Sequence, residues 1–135
     1  MSELVQISEA ALLALHSMVL IAQAKGGWVS VHNMARRTGA SENHLAKVMQ
    51  RLTRAKLVRS VRGPKGGFLL ADAPEKVSLL DIYEAIEGKV NNAACPFHKD
   101  TCMLQSCIFH GLIGKTTNEL VRHLADTSLA SMAGS

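Results

Sequence analysis

Residues 41–71 read SENHLAKVMQRLTRAKLVRSVRGPKGGFLLA, and this stretch predicts the fold of the chain. The apolar residues of its first half recur every three or four positions, which is the spacing of one face of an α-helix. They are Leu45, Val48, Met49 and Leu52. Ser41 can cap this helix at its N-terminus, and we expect the helix to run from Glu42 to about Lys56.

The second half of the stretch predicts a β-hairpin. Residues 57–62 and 68–71 contain apolar and β-branched residues that favour extended strands. Between them lies the segment GPKGG at residues 63–67, which is dense in turn-forming residues and carries a basic residue at the tip. The hairpin therefore follows the helix directly.

Two earlier helices complete the predicted domain. Ser8 can cap a mostly apolar helix from Glu9 to about Lys25, and Ser30 can cap a short helix over residues 31–37. The short helix and the helix after Ser41 are joined by a turn that contains Gly39, which is a helix-turn-helix signature. Because a hairpin follows, the order of elements predicts a winged helix.

The rest of the chain predicts two more helices. Ser78 and Asp81 form a capping box at the start of one helix, which Gly88 ends. A long helix should run from about Gln105 to Asp126, and its apolar stripe needs a cover. The cover is either the chain's own domain or a partner subunit, which we favour because winged-helix proteins read palindromes as two-fold dimers.

The expected fold class is mainly α with a small β-hairpin wing. It comprises a winged helix-turn-helix and a long C-terminal dimerisation helix. The predicted parts are a DNA-binding domain over 1–88, a cysteine-containing loop over 89–107, and a dimerisation helix with a C-terminal tail over 105–135.

The net charge of +4 conceals a strong asymmetry. Residues 25–76 carry eleven Lys and Arg against three acidic residues and have a net charge of +8, whereas residues 1–24 and 77–135 each have −2. This concentration predicts a polyanion partner, although a solvated basic surface has the same composition. Together with the winged helix, it favours double-stranded DNA with a palindromic operator.

The polar face of the helix after Ser41 is suited to base recognition. Asn and Gln can make two hydrogen bonds to adenine, and Arg can make two to guanine, in a major groove. The wing would place basic side chains against phosphates or into the minor groove. We therefore predict DNA contacts from Ser41, Asn43, His44, Lys47, Gln50, Arg51, Arg54, Arg59, Arg62 and Lys65.

All three cysteines lie in one short segment. Six residues separate Cys95 from Cys102, and four separate Cys102 from Cys107. Three thiols so close in sequence can converge on one soft metal centre with a fourth ligand from elsewhere. Zinc usually favours Cys-x-x-Cys pairs, which this sequence lacks, so the spacing favours an iron–sulfur cluster.

Several classes of protein are not expected. No apolar run approaches the roughly 18 residues of a membrane span, and no signal peptide opens the chain, so we expect a cytoplasmic protein with no membrane partner. The sequence has no glycine-rich phosphate loop, no nucleophile-and-base arrangement and no paired acidic motif. We therefore do not expect an enzyme.

The sequence resembles the IscR/NsrR-type winged-helix regulators, a family that carries an iron–sulfur cluster. The segment ISEAALLALHSMVLIA is similar to the first helix of that family, and GASENHLAKVMQRLTRAKLVRSVRGPKGGFLLA is similar to its recognition helix and wing. The segment from CIFH to TSL is similar to its dimerisation helix. The resemblance implies a homodimeric transcriptional regulator whose three cysteines hold a [2Fe–2S] or [4Fe–4S] cluster.

Two features depart from that family. Its members space the three cysteines more evenly, so Cys102 is shifted here by one residue. Some members use a carboxylate on the first helix of the partner subunit as fourth ligand, and the matching residue here is Leu12. Others use a histidine three residues after the last cysteine, where this chain has His110. The resemblance thus implies Cys95, Cys102, Cys107 and His110 as metal ligands, with His16 or Glu9 as alternatives to His110.

The expected function is a DNA-binding transcriptional regulator, of the repressor type, whose operator affinity is controlled by the cluster. The signal would be redox state, nitric oxide or iron supply. Two rival interpretations stay open. One is a cluster-free regulator that responds through thiol and disulfide chemistry, and the other is a small iron–sulfur carrier or scaffold protein.

Overall fold

The structure is a computed structural model that describes residues 2–64, 66–90 and 102–134. Within these ranges it contains six α-helices, two strands and one short 3-10 turn at Pro74–Lys76. The helices are α1 (Glu9–Gln23), α2 (Val31–Thr38), α3 (Glu42–Arg54), α4 (Leu79–Glu87), α5 (Leu112–Asp126) and α6 (Leu129–Ala133). The strands are β1 (Val58–Val61) and β2 (Gly67–Leu70). The mainly helical architecture with a two-stranded wing is confirmed.

The serine caps predicted for the first four helices are confirmed. The side chains of Ser8, Ser30 and Ser41 accept hydrogen bonds from backbone N–H groups three residues ahead. Ser78 and Asp81 form the full capping box, with both N–O distances at 3.0 Å. Each cap satisfies N–H groups that have no partner inside the helix, which stabilises the fold by about 1 kcal/mol per cap.

Two helices end slightly earlier than the sequence predicted. α1 ends at Gln23 and α3 at Arg54, in each case two residues before the predicted end. The backbone turns left-handed at Lys25 (φ 49°) and Lys56 (φ 64°), and a right-handed helix cannot continue through this conformation.

α1 is the centre of the hydrophobic core. It packs against α4, α6, α3, β2 and α2, and Met18 and Ile21 are buried beneath these elements. α3 turns its predicted apolar face to the same core, and α4 adds Ile82 and Ile86. Among the described residues, no helix is both long enough and apolar enough to cross a bilayer.

The hairpin is confirmed, and a third short segment joins it. β1 and β2 pair in antiparallel register, with Val61 opposite Gly67. Val29 and Phe68 exchange two backbone hydrogen bonds of 2.9 Å each, which ties the wing to the chain between α1 and α2. A Cβ atom on Gly67 would lie 2.4 Å from the carbonyl oxygen of Val29. Only glycine therefore allows this close approach.

The last long helix begins later than the sequence predicted. α5 starts at Leu112 and not near Gln105. The backbone at His110 (φ 50°) and Gly111 (φ 75°) is left-handed, so residues 108–111 form a turn that a helix cannot cross. α5 packs against α4.

The residues after α5 fold back onto the winged helix. Leu129 N donates to Val77 O at 2.7 Å, and Leu79 N donates to Thr127 O at 3.0 Å. These bonds hold α6 against α1 and the 3-10 turn, and Leu129 is fully buried. The segment predicted as a C-terminal tail is therefore part of the core.

One core position is polar. Ser17 lies on the buried face of α1 with no exposed surface, and its Oγ has no hydrogen-bond partner among the described residues. We expect Ser17→Ala to raise the free energy of unfolding by about 1 kcal/mol, because it removes a buried hydroxyl that makes no hydrogen bond. Urea denaturation measures this change. Ser8→Ala, which removes a cap, should shift the midpoint the other way, and a destabilised Ser17→Ala protein would show that the hydroxyl is bonded.

Candidate DNA-binding surface and cysteine segment

One face of α3 carries four exposed polar side chains. They are Asn43, Lys47, Gln50 and Arg54. Residues separated by four, three and four positions lie above one another on a helix, so these side chains form a continuous strip opposite the buried apolar face. This arrangement gives the second helix of the helix-turn-helix an amide- and cation-rich surface of the kind that reads base edges in a major groove.

Three other predicted contacts on α3 are engaged inside the protein. Ser41 Oγ caps the helix, and His44 Nδ1 lies 3.8 Å from Glu9 Oε1 on α1. Arg51 Nη2 donates a hydrogen bond to the carbonyl oxygen of Ile86 in the last turn of α4. The structure therefore places these residues beside the strip, with contacts to the chain's own helices, and their DNA contacts stay predictions.

α2 supplies a cationic position that the sequence analysis missed. His32 Nδ1 on α2 lies 3.5 Å from Glu42 Oε2 at the start of α3, so this face of α2 adjoins the N-terminus of the recognition helix. Arg36 is exposed and lies one turn further along the same face. In a helix-turn-helix the first helix crosses the DNA backbone. The four-residue spacing from His32 is the signal that could have identified Arg36.

The wing presents the remaining predicted basic residues. Arg59 on β1 and Arg62 just after β1 are both exposed. Lys65, predicted at the tip, lies outside the described residues. Since the hairpin follows α3 directly and its base is fixed to Val29, the wing is anchored beside the recognition helix.

The cysteine segment contains one thiol with altered acidity. Cys102 and Cys107 are both exposed, and Cys95 lies outside the described residues. Backbone N–H groups of Gly111, Phe109 and His110, in the turn before α5, stabilise the Cys107 thiolate and lower the pKa of this thiol. A thiolate is both the nucleophilic and the metal-binding form of cysteine.

The predicted ligands do not converge in the part of the chain that the structure describes. Cys102, Cys107 and His110 do not come together there as a group able to hold a metal ion. His110 is exposed and occupies the left-handed turn before α5. The two alternative ligands, Glu9 and His16, lie on α1, where His16 Nδ1 is 2.6 Å from Leu12 O. These ligand assignments therefore stay predictions.

An open groove runs along the exposed side of α1. Its volume is about 730 Å³. Leu12 and Met132 contribute apolar surface, and Glu9, His16 and Arg37 contribute polar groups. The groove thus carries both proposed α1 ligands on a surface that α2 and α6 border.

The fold and the α3 face define a DNA-binding winged-helix protein of the helix-turn-helix class. The chain belongs to the Rrf2 family, whose profile, described as an iron-dependent transcriptional regulator, matches residues 7–135. It is therefore a transcriptional regulator and not an enzyme, as the sequence predicted.

Individual relatives agree with the family assignment. The HTH-type regulator BadM of Rhodopseudomonas palustris is 33% identical over 106 residues, which are 76% of this chain and 68% of that protein. The structure of T. potens IscR is similar with a TM-score of 0.74 and 26% identity, over 96% of this chain and 87% of that one. The oxidized form of Staphylococcus aureus CymR matches with a TM-score of 0.76 and 27% identity, over 97% and 98%.

Proposed function

We propose that this regulator binds a palindromic operator as a homodimer and acts as a repressor whose affinity depends on an iron–sulfur cluster held by its cysteine segment. The observation that carries the proposal is the presence of two exposed cysteines, Cys102 and Cys107, in the short segment that leads into α5. The family description, which names iron, supports the same interpretation.

The donor chemistry of the segment fits such a cluster. Thiolates are the usual ligands of iron–sulfur clusters, and hydrogen bonds to the sulfurs tune them. Cys95, Cys102 and Cys107 would hold the cluster, with His110, His16 or Glu9 as fourth ligand. A cluster with one ligand weaker than thiolate would supply an iron atom that oxygen or nitric oxide can attack.

The homodimer is supported by apolar surface that the single chain leaves exposed. Leu112 and Leu120 on α5 are 58% and 41% exposed, although α5 packs against α4 on its other side. The groove along α1 exposes further apolar surface at Leu12 and Met132. Surfaces of this kind mark sites of association, and a second copy of the chain would cover the stripe and the groove.

A dimer would present two α3 helices to successive major grooves. Asn43 and Gln50 can each make two hydrogen bonds to adenine, and Arg54 can make two to guanine. Arg36 and Arg62 would neutralise phosphates on either side. Half-sites about 34 Å apart match one helical turn of B-DNA, so the relative orientation of the two subunits determines whether both helices bind.

The affinity of two prepared states for DNA tests the proposal. The protein is reconstituted anaerobically with ferrous iron and sulfide, or kept metal-free and reduced, and each state is titrated with a duplex selected from random sequence by the wild type. Both titrations use the same salt concentration, because phosphate contacts make affinity strongly salt-dependent. We expect different affinities, since control requires that the two states bind DNA unequally. Equal affinities would reject control by the cluster.

The wing and the recognition helix should respond differently to substitution. Arg62→Ala is expected to weaken binding to all sequences alike and to reduce the slope of log affinity against log salt by about 1, because it removes a phosphate contact. Asn43→Ala should instead relax base preference and leave the slope unchanged. Fluorescence anisotropy over a salt series, with specific and scrambled duplexes, measures both effects. An unchanged slope for Arg62→Ala would place the wing outside the interface.

A cluster-free thiol regulator is the second candidate. The lowered pKa and exposure of Cys107 favour it as well, because thiolate character controls cysteine oxidation. Similarity to the oxidized form of CymR points in the same direction. Anaerobically purified protein that is colourless and iron-free, and that loses or gains operator affinity with diamide, would favour this candidate.

A further inference from the structure

The end of α4 is held by two charged side chains. In a continuing helix, Val90 N would donate to the carbonyl of Ile86. Gly88 (φ 82°, ψ 176°) turns the chain out of the helix and separates these groups. Arg51 Nη2 donates to the Ile86 carbonyl instead, and Val90 N donates to Glu84 Oε2 at 3.0 Å. Both backbone groups are thus satisfied by side chains.

The contact with Arg51 links two elements of different function. Arg51 belongs to α3, the recognition helix, and lies one position from Gln50 on the exposed strip. Its guanidinium places a positive charge at the C-terminal end of α4, where the helix dipole is negative and a charge-assisted bond is strong. The position of α3 is therefore tied directly to the last turn of α4.

α4 is connected with the chain on both sides of the cysteine segment. Residues 88–90 lead out of α4, and Cys95 follows Val90 by five positions in the sequence. On the far side of the segment, Cys107 precedes α5 by five positions, and α5 packs against α4. If the segment has two states, as the proposed function requires, a change between them would reach α4 through the outgoing chain and through α5.

We infer that Arg51 is a positioning residue that couples the state of the cysteine segment to the recognition helix. This inference rests on the proposed function, because it requires two states of the segment that differ in operator affinity. Arg51 acts through the Ile86 carbonyl and Glu84 through Val90, so the pair forms the path between sensor and DNA-binding surface. The role differs from the base contact that the sequence predicted for Arg51.

The test compares how strongly the state of the cysteine segment affects operator affinity in the wild type and in two variants of Arg51. Operator affinity is measured for the iron- and sulfide-reconstituted state and for the metal-free reduced state of the wild type, Arg51→Ala and Arg51→Lys. The ratio of the operator affinities of the two states should lie between about 5 and 150 in the wild type, which is the usual range of coupling between sites. We expect Arg51→Ala to bring the ratio close to one and Arg51→Lys to restore part of it, because an ammonium group can also donate to the Ile86 carbonyl.

Hydrogen exchange supplies a readout that does not depend on DNA. Exchange rates of α3 amides should differ between the two states of the wild type, and this difference should disappear in Arg51→Ala. Glu84→Ala should reduce both the ratio and the exchange difference, although it removes no group of α3. Glu84→Ala leaves Arg51 in place. If Arg51→Ala does not fold, Glu84→Ala can therefore still test whether the end of α4 couples the cysteine segment to α3.

Arg54→Ala is the matched control on the same helix. This variant should lower the operator affinity of both states by the same factor and leave the ratio of the two affinities unchanged. If Arg51→Ala behaves like Arg54→Ala, Arg51 is a DNA contact and the inference is wrong. A wild-type ratio of one overturns the proposed function itself and the inference with it. The two failures are distinguishable. A failure of the proposed function is visible from the wild type without any variant, whereas a failure of the inference is visible only when Arg51→Ala is compared with Arg54→Ala.

Discussion

Replacing Leu129 with alanine is expected to lower the free energy of unfolding by about 3 kcal/mol. Leu129 is fully buried against α1 and the 3-10 turn at Pro74–Lys76, and its backbone N–H donates to Val77 O at 2.7 Å. Alanine would leave a cavity that the α1 side chains cannot fill without moving. Because α6 is part of the core, the substitution should destabilise the whole winged helix and lower its melting temperature by roughly 10 °C.

Leu4→Ala provides the matched control, because Leu4 is fully exposed and the same chemical change there should cost less than about 0.5 kcal/mol. Thermal unfolding followed by circular dichroism measures both variants. A Leu129→Ala protein as stable as Leu4→Ala would show that α6 is not docked on the winged helix in solution. Operator affinity at low temperature should stay close to that of the wild type, since Leu129 lies away from the polar strip of α3.

Replacing Cys107 with alanine is expected to abolish the difference in operator affinity between the iron- and sulfide-reconstituted state and the metal-free state. The variant removes the thiolate that the backbone N–H groups of Gly111, Phe109 and His110 stabilise. Loss of a thiolate ligand should also remove the visible absorption of the reconstituted protein and lower its iron content. Anaerobic absorption spectra, iron analysis and anisotropy titrations measure the three effects together.

Ser106→Ala is the control for Cys107→Ala, because Ser106 is an exposed neighbour in the same segment and its hydroxyl is not among the predicted ligands. This variant should keep the absorption and the affinity difference. If Cys107→Ala also keeps both, Cys107 is not a ligand, and the cluster proposal loses one of the two exposed cysteines that carry it. If the wild type binds no iron but responds to diamide, and Cys107→Ala does not, the thiol mechanism is favoured instead.

The exposed polar strip of the candidate DNA-binding surface could be predicted because it depends on local sequence. The strip formed by Asn43, Lys47, Gln50 and Arg54 follows from helical periodicity alone. The surroundings of His44, a predicted DNA contact, could not be predicted in this way. Its ring lies 3.8 Å from Glu9, which is 35 positions earlier in the chain. No pattern within α3 could show that contact.

The start of α5 shows how a local prediction can fail. Apolar residues recur from Ile108 onward, and their spacing alone suggested a helix beginning near Gln105. The left-handed backbone at His110 and Gly111 interrupts that helix, so α5 begins only at Leu112. Glycine occurs in helices as well as in this conformation, and a positive φ is uncommon for any residue other than glycine, so neither His110 nor Gly111 is a reliable stop signal.

The local sequence is enough to predict the serine caps, the buried stripe of α3 and the hairpin around residues 63–67, because each depends on residues within about one or two turns of one another. The packed fold was needed to show that Leu129 belongs to the core and that Arg51 binds the Ile86 carbonyl. Those contacts join residues that are 52 and 35 positions apart. Their formation depends on how whole helices pack, and helical periodicity carries no information about which distant partner a side chain meets.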